Sequence, residues 1–410
     1  MAGRARRADH RAGRPRVHRT DARVHRRPPR PVVRGHRRVG VPSTPQQRSS
    51  MSPRIPVIDL VPWLSDDPEA RARTAAAVDA ALSRAGFLLI TGHGVSLEMR
   101  ESVRAAARAF FALPTEVKQR YAVGVGGRGW LAKGAEANGY SEGTETPPDL
   151  KESWTVGADL PTGDAEIDDF WFQPNRWPAD EVPALQRTLE AYLARMRVVA
   201  DEVLRLLAAA LGQEPTFFTD HTRHPTYTLN VNWYPGTGVV GEPQPGQYRI
   251  GPHTDFGTVT LLDRQQGRGG LQVWIAGEDG EEDGEEDVAR SASDEGGGGR
   301  RAGVWEDAPF DPDALTVNIG DLMARWTGDR WTSGRHRVLP PSPDAPEEDL
   351  MSLVYFYECD PHTVVAPVEW RREAPQPGVA AGRRAVGPVA YEPVDSSEYL
   401  RGKLDAISVG

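Results

Sequence analysis

Cysteine is nearly absent from this chain: Cys359 is the only one in 410 residues. That excludes an intrachain disulfide and any zinc or iron–sulfur site built on clustered thiolates, and it fits a reducing compartment, the cytoplasm. A metal bound here has to be held by His, Asp or Glu. Long apolar runs are missing too. No uninterrupted stretch reaches the roughly 18 residues that a membrane-spanning helix needs. There is no Gly-x-Ser-x-Gly elbow, and no carboxylate pair stands in a context suited to glycoside hydrolysis. What is present is ordinary for a globular chain, 39% hydrophobic and 26% charged, with length enough for one large domain or two smaller ones.

The net charge of −9 conceals an asymmetry. Residues 1–50 hold fifteen Arg and two Asp with no Lys or Glu, a local charge of +13 that leaves −22 on the rest. A basic arm can bind nucleic acid, but this one has no aromatic residue and no helical period, and it lacks the apolar centre of a secretory signal. It reads as a disordered Arg-rich extension, with Met51 a candidate for the real start. The acidic remainder argues against nucleic acid as the main partner.

Folding signals begin at the apolar run Ile55 to Leu60. Helical periodicity follows over 68–85, a strand over Phe87 to Thr91, and a second helix over roughly 97–112. Residues 122–150, rich in Gly, polar groups and Pro, read as a long loop of the kind that lines a binding site. Val182 to Leu211 is a long amphipathic helix suited to packing on a sheet. After Pro225 the pattern changes to short β-branched and aromatic runs, 226–234, 247–255, 257–264, 270–275, 314–318, 335–339 and 351–358, as in a sandwich or jelly roll. Residues 277–303 are an acidic, Gly-rich insert that reads as a solvated hairpin extension. The expected division is thus a helical or mixed region over 51–224, a jelly-roll core over 225–370 and a tail over 371–410 with a short helix near Glu398 to Ile407. The class is mainly β with flanking helices.

Outside the arm only six histidines remain: His93, His221, His224, His253, His336 and His362. His253 stands in Gly-Pro-His-Thr-Asp-Phe-Gly, and alternation along a strand directs His253 and Asp255 to one face. With a second His from a distant strand, His336 in Ser-Gly-Arg-His-Arg-Val being the plausible one, they would occupy one face of an octahedron and leave three positions open. Spacing alone leaves another reading, a hydrogen-bonded His–Asp pair with no ion. The other four histidines have no carboxylate at ligand spacing.

Several segments together, Gly251–Leu262, Gly269–Trp274, Asp313–Trp326 and His336–Val338, resemble the isopenicillin N synthase-like branch of the iron(II) and 2-oxoglutarate-dependent dioxygenases. The resemblance extends to Ile55–Leu60, Phe110–Pro114 and Asp149–Ser153, and covers roughly residues 55–370. It implies a double-stranded β-helix with outer helices, iron(II) held by His253, Asp255 and His336, and 2-oxoglutarate and dioxygen as cosubstrates. A small molecule would then be hydroxylated, desaturated or cyclised, in a role such as specialised metabolism. Phe256, Trp326 and Tyr355 stand near the implied pocket but read as core packing, and Arg337 as a support for the fold or for His336.

The implied cosubstrate pocket departs from the family pattern at one position. Asn232 and Tyr234 match its Asn-x-Tyr-Pro segment, and Ser352 matches the serine of its Arg-x-Ser pair. Leu350 replaces the arginine that would pair bidentately with the distal carboxylate, and a buried carboxylate without a cation is costly. Arg249, four residues before His253 and on its face if the strand is regular, is the first substitute expected, and Arg264, nine after Asp255, is a second; both also read as surface arginines. An oxidase using dioxygen without 2-oxoglutarate, and a silent jelly-roll binding protein, are the alternative functions that Leu350 raises.

Overall fold

The computed structural model describes residues 54–143, 145–267, 270–277, 303–369 and 391–409. The Arg-rich extension and nearly all of the 277–303 insert lie outside the described residues. In chain order the strands are β1 (Val57–Asp59), β2 (Phe87–Thr91), β3 (Gly129–Leu131), β4 (Glu152–Gly157), β5 (Tyr227–Tyr234), β6 (Ile250–His253), β7 (Val259–Arg264), β8 (Leu271–Ala276), β9 (Gly303–Asp307), β10 (Leu315–Ile319), β11 (His336–Val338), β12 (Leu350–Tyr357), β13 (Val364–Val365) and β14 (Val394–Asp395). The helices are α1 (Pro68–Ala85), α2 (Leu97–Phe111), α3 (Thr115–Lys118), α4 (Ala165–Trp171), α5 (Pro183–Ala210), α6 (Thr237–Val240), α7 (Asp321–Trp326) and α8 (Ser396–Ile407).

Local chemistry sets the helix ends. Asp67 caps α1 by accepting from the Glu69 N–H, Pro68 suits the first turn, and Gly86 ends the helix in the left-handed region at φ 69°. A Cβ on Gly86 would lie 2.0 Å from the Thr332 carbonyl, so glycine is required twice over. Ser96 caps α2 and Asp395 caps α8 in the same way.

Two sheets face each other. The larger has the order β1-β2-β10-β7-β12-β5-β4-β3, and the smaller β6-β11-β8-β9. Apart from the parallel β1–β2 pair, all of these ladders are antiparallel. The larger sheet is apolar on its outer face, where Leu229, Val231, Leu261, Val317, Leu353 and Tyr355 are fully buried in one cluster with residues of α1, α2 and α5. Each such aliphatic contributes roughly 1.5–3 kcal/mol. Its inner face carries Thr228, Asn230, Asn232, Thr260, Arg264, Asn318 and Ser352, and these line a cavity. The jelly roll therefore has a polar interior and an apolar exterior covered by helices, which is the arrangement a reaction chamber needs.

Three expectations change. The loop over 122–150 contains β3 and a 3₁₀ turn at Asn138–Glu142, though Gly126, Arg128, Leu131, Glu136 and Asn138 do line the cavity. The segments that became β4 and β9 were not expected as strands; β4 is rich in Ser, Thr and Gly, and β9 follows directly on the low-complexity insert. The strand expected over 247–255 is only Ile250–His253, because its ladder with β11 carries a bulge: three steps from Ile250 to His253 oppose two from Val338 to His336.

Candidate metal centre and cavity

The bulge in β6 and the short strand β11 bring three donors together. His253 and His336 face each other directly in the β6–β11 ladder, and Asp255 follows two residues after His253. His253 Nε2 is 3.7 Å from Asp255 Oδ1, and His336 Nε2 is 3.9 Å from the same oxygen. All three side chains are buried, and their ligand atoms lie within 4.8 Å of one another.

The surroundings leave these atoms free for a metal. His253 Nδ1 is 2.8 Å from the Gly251 carbonyl and His336 Nδ1 is 3.0 Å from that of Gly334. A carbonyl only accepts, so each Nδ1 carries the proton and each Nε2 presents its lone pair inward. Burial, followed by the nearby His336, holds the His253 imidazole below its ordinary pKa and keeps it neutral. Asp255 Oδ2 accepts from Thr260 Oγ1 and from Asn318 Nδ2, each at 2.6 Å, which leaves Oδ1 for the metal. Burial raises the Asp255 pKa, but the two histidines and these two donors outweigh it and hold the carboxyl low. Two neutral imidazoles and one carboxylate on one side of a cavity suit a divalent iron with open positions.

The cavity is about 710 Å³ and runs between the sheets. Cross-strand register places Arg264, Ser352, Asn232 and Ser153 in one row across β7, β12, β5 and β4. Tyr234 OH is 3.0 Å from Ser352 Oγ, Asn232 Nδ2 donates to Tyr234 OH at 3.3 Å, and Ser153 Oγ donates to Asn232 Oδ1 at 2.8 Å. Leu350 sits opposite Tyr234.

The two arginines differ sharply. Arg249 is buried but lies off the cavity wall, with its guanidinium on the Glu348 carboxylate at 3.4 Å and the Glu348 carbonyl at 3.0 Å. The bulge explains this: it breaks the alternation that would have put Arg249 on the His253 face. Arg264 does line the cavity, as the inward neighbour of Ser352. Its guanidinium donates to the Pro309 carbonyl, lies over the Phe310 ring and has no carboxylate partner among the described residues. Burial brings its pKa down to about 10.

Other residues fall where they were expected or reveal new roles. Trp326 and Tyr355 are core, whereas Phe256 lines the cavity. His93 is structural, between the Asp313 carbonyl and the Val95 N–H. Arg337 holds Gln272 and lies over Trp305, supporting the fold. Unassigned beforehand were Thr260 and Asn318, the partners of Asp255, and Glu358, on whose carboxyl burial and the Asp255 charge act to raise the pKa to about 8. The one available signal was the inward alternation of polar residues, Thr228, Asn230, Asn232 along β5.

Two family models match this chain: the 2OG-Fe(II) oxygenase superfamily over residues 225–358, and the N-terminal part of a non-haem dioxygenase in morphine synthesis over 55–180. The chain belongs to the 2OG-Fe(II) oxygenase superfamily. The isopenicillin N synthase-like branch is a looser label within it. Validamycin A dioxygenase of Streptomyces hygroscopicus subsp. limoneus is 44% identical over 78% of this chain and 80% of its own length. The 2-oxoglutarate-dependent dioxygenase tropC of Talaromyces stipitatus is 27% identical over 85% and 98%. Among solved structures, a full-length Neurospora crassa protein in complex with alpha-KG and thymine superposes with a TM-score of 0.65 at 26% identity, covering 86% of this chain and 96% of that one. The protein is an iron(II)-dependent dioxygenase that uses 2-oxoglutarate and dioxygen to oxidise a small molecule, on a jelly-roll fold. No helix among the described residues is long and apolar enough to cross a membrane.

Proposed function

We propose that His253, Asp255 and His336 hold the iron, and that Arg264, Ser352 and Tyr234 receive the distal carboxylate of 2-oxoglutarate, with Asn232 fixing Tyr234. The observation that carries this reading is the convergence of two imidazole Nε2 atoms and Asp255 Oδ1 on one wall of the cavity. When bound, iron supplies the oxidising power, drawn from dioxygen and 2-oxoglutarate, that attacks a C–H bond of the substrate. The chain's own part is to hold and enclose. Arg264 replaces the cation lost at Leu350, from the neighbouring strand and the same row as Ser352. Arg249, already neutralised by Glu348, serves the wall behind Tyr234, over whose ring it lies at 5.9 Å.

The substrate belongs in the half of the cavity lined by Thr226, Thr228, Asn230, Phe256 and Glu358, which offers hydroxyl and amide groups beside apolar surface. Validamycin A is the first compound to assay, given the 44% identity to the dioxygenase named for it. Hydroxylation, desaturation or cyclisation follows from how the substrate is held, in a cytoplasmic role in specialised metabolism. The division into a region over 51–224, a core over 225–370 and a tail over 371–410 belongs to the same proposal, although β1 to β4 of the first region extend the larger sheet at both edges.

The test is anaerobic titration of the iron(II)-loaded protein with 2-oxoglutarate, following the weak visible charge-transfer band of the chelate. A band that saturates at one equivalent is expected, and it should disappear in His253→Ala and Asp255→Ala. Iron bound stoichiometrically in both variants, or no band in the wild type, would overturn the assignment.

A further inference from the structure

Buried carboxylates near the cavity are, with one exception, supplied with partners. Glu136 is paired with Lys151 and Glu142 with Arg335, and Asp255 faces the metal donors. Glu358 is different. It continues the inward row Ser352, Val354 and Phe356, is 8% exposed, and lines the cavity. Oε2 accepts from the Thr258 N–H at 2.5 Å. Among the described residues no donor other than Thr258 reaches the carboxyl, whose side chain lines the cavity. No Lys, Arg or His of the described residues forms an ion pair with it. The carboxylate packs so closely on Gly257 that a Cβ there would lie 1.8 Å from Oε2. Gly257 is two residues beyond Asp255, and the Asp255 charge acts on this carboxyl, so the group lies toward the metal end of the cavity.

A carboxyl desolvated without a cation escapes the cost of its charge by holding its proton, and a ligand that brings the missing cation lets it release that proton to solvent and ionise. A purely structural role would need only an acceptor for Thr258, which a neutral amide supplies equally well. Beyond Asp255 at the metal end and Lys403, which lies over the Phe256 ring at 5.7 Å and pairs with Asp321, its neighbours on the wall are Thr226 and Thr228 on β5 and its approach, with Phe256 and Phe356 on the flanks. We propose that Glu358 is the specificity-determining residue for a substrate carrying a basic amine, whose ammonium binds Oε1 and brings the neighbouring carbons to the metal. This rests on the proposed use of the same cavity and names the substrate class it accepts.

The probes are cyclohexylamine and cyclohexanol, alike in size and differing in charge, with binding read by saturation-transfer NMR on the full chain loaded with Zn(II) and 2-oxoglutarate. Wild type should prefer the amine by at least about tenfold, the scale of one charge-assisted hydrogen bond. Glu358→Gln, which retains an acceptor for Thr258, should reduce that preference to within about twofold, and Glu358→Asp should keep part of it. Equal affinity for the two probes in wild type, or an undiminished preference in Glu358→Gln, overturns the proposal. If Glu358→Gln fails to fold, the wild-type comparison together with Glu358→Asp decides the matter. Because this readout is binding rather than chemistry, it is separable from the iron–2-oxoglutarate titration: a missing charge-transfer band would overturn the functional reading and leave an amine preference standing.

Discussion

Asn318 and Thr260 stand opposite each other across β10 and β7, and both donate at 2.6 Å to the same oxygen of Asp255. The effect is directional. With Oδ2 doubly occupied, the carboxylate cannot rotate to offer both oxygens to a cation, so Oδ1 alone faces the two imidazoles.

Removing one of these donors should loosen the metal without unfolding the protein. Asn318→Ala is expected to weaken Fe(II) or Mn(II) binding by about 10- to 100-fold, the range found when partners that orient a ligand are lost. Competitive chelator titration measures it, with thermal unfolding of the metal-free protein as the control. An affinity within about twofold of wild type would mean that Asp255 is oriented by its backbone alone.

The cation for 2-oxoglutarate is separable from the metal. Arg264→Leu should raise the 2-oxoglutarate dissociation constant by at least about tenfold, from loss of a charge-assisted pair, while iron binding is unchanged. Arg249→Leu should leave that constant nearly unaltered and act on stability instead, since Glu348 is its partner. Adding Leu350→Arg to Arg264→Leu should restore much of the affinity, because position 350 lies two residues before Ser352 on the same face of β12. A loss confined to Arg249→Leu would reverse the assignment.

These contrasts show what the sequence could and could not disclose. The donors His253 and Asp255 were legible because alternation over two residues survives almost any strand geometry. Arg249 was misplaced because alternation over four residues does not survive a bulge, for which Gly251-Pro252 inside the strand was the available signal. Arg264 could not be favoured without the register of β7 against β12, a long-range pairing invisible along the chain. Glu358 lies just past the last paired residue of β12, where a periodic reading stops. The helices were legible because α1, α2 and α5 each bury one apolar stripe against the sheet, whereas β4, with Ser153, Thr155 and Gly157, offers no such stripe.

The same outer face holds a buried charged cluster within its largely apolar layer. Asp263 on β7 receives Arg100 Nη1 at 3.2 Å and Arg104 Nη2 at 2.6 Å, both from α2, and all three side chains are at most 4% exposed. The arginines cannot reach water, and their charge cannot be shed by deprotonation. Asp263→Ala therefore leaves two guanidiniums buried, with Arg104 retaining only the exposed Glu101 and Arg100 only the Pro312 carbonyl. A loss of about 3–5 kcal/mol in unfolding free energy is expected, read by denaturant titration. Because Asp263 points away from the cavity, 2-oxoglutarate affinity in the folded fraction should not change, although Arg264 is the next residue. A stability loss below about 1 kcal/mol, the range of an exposed ion pair, would show that water reaches the arginines once the carboxylate is gone.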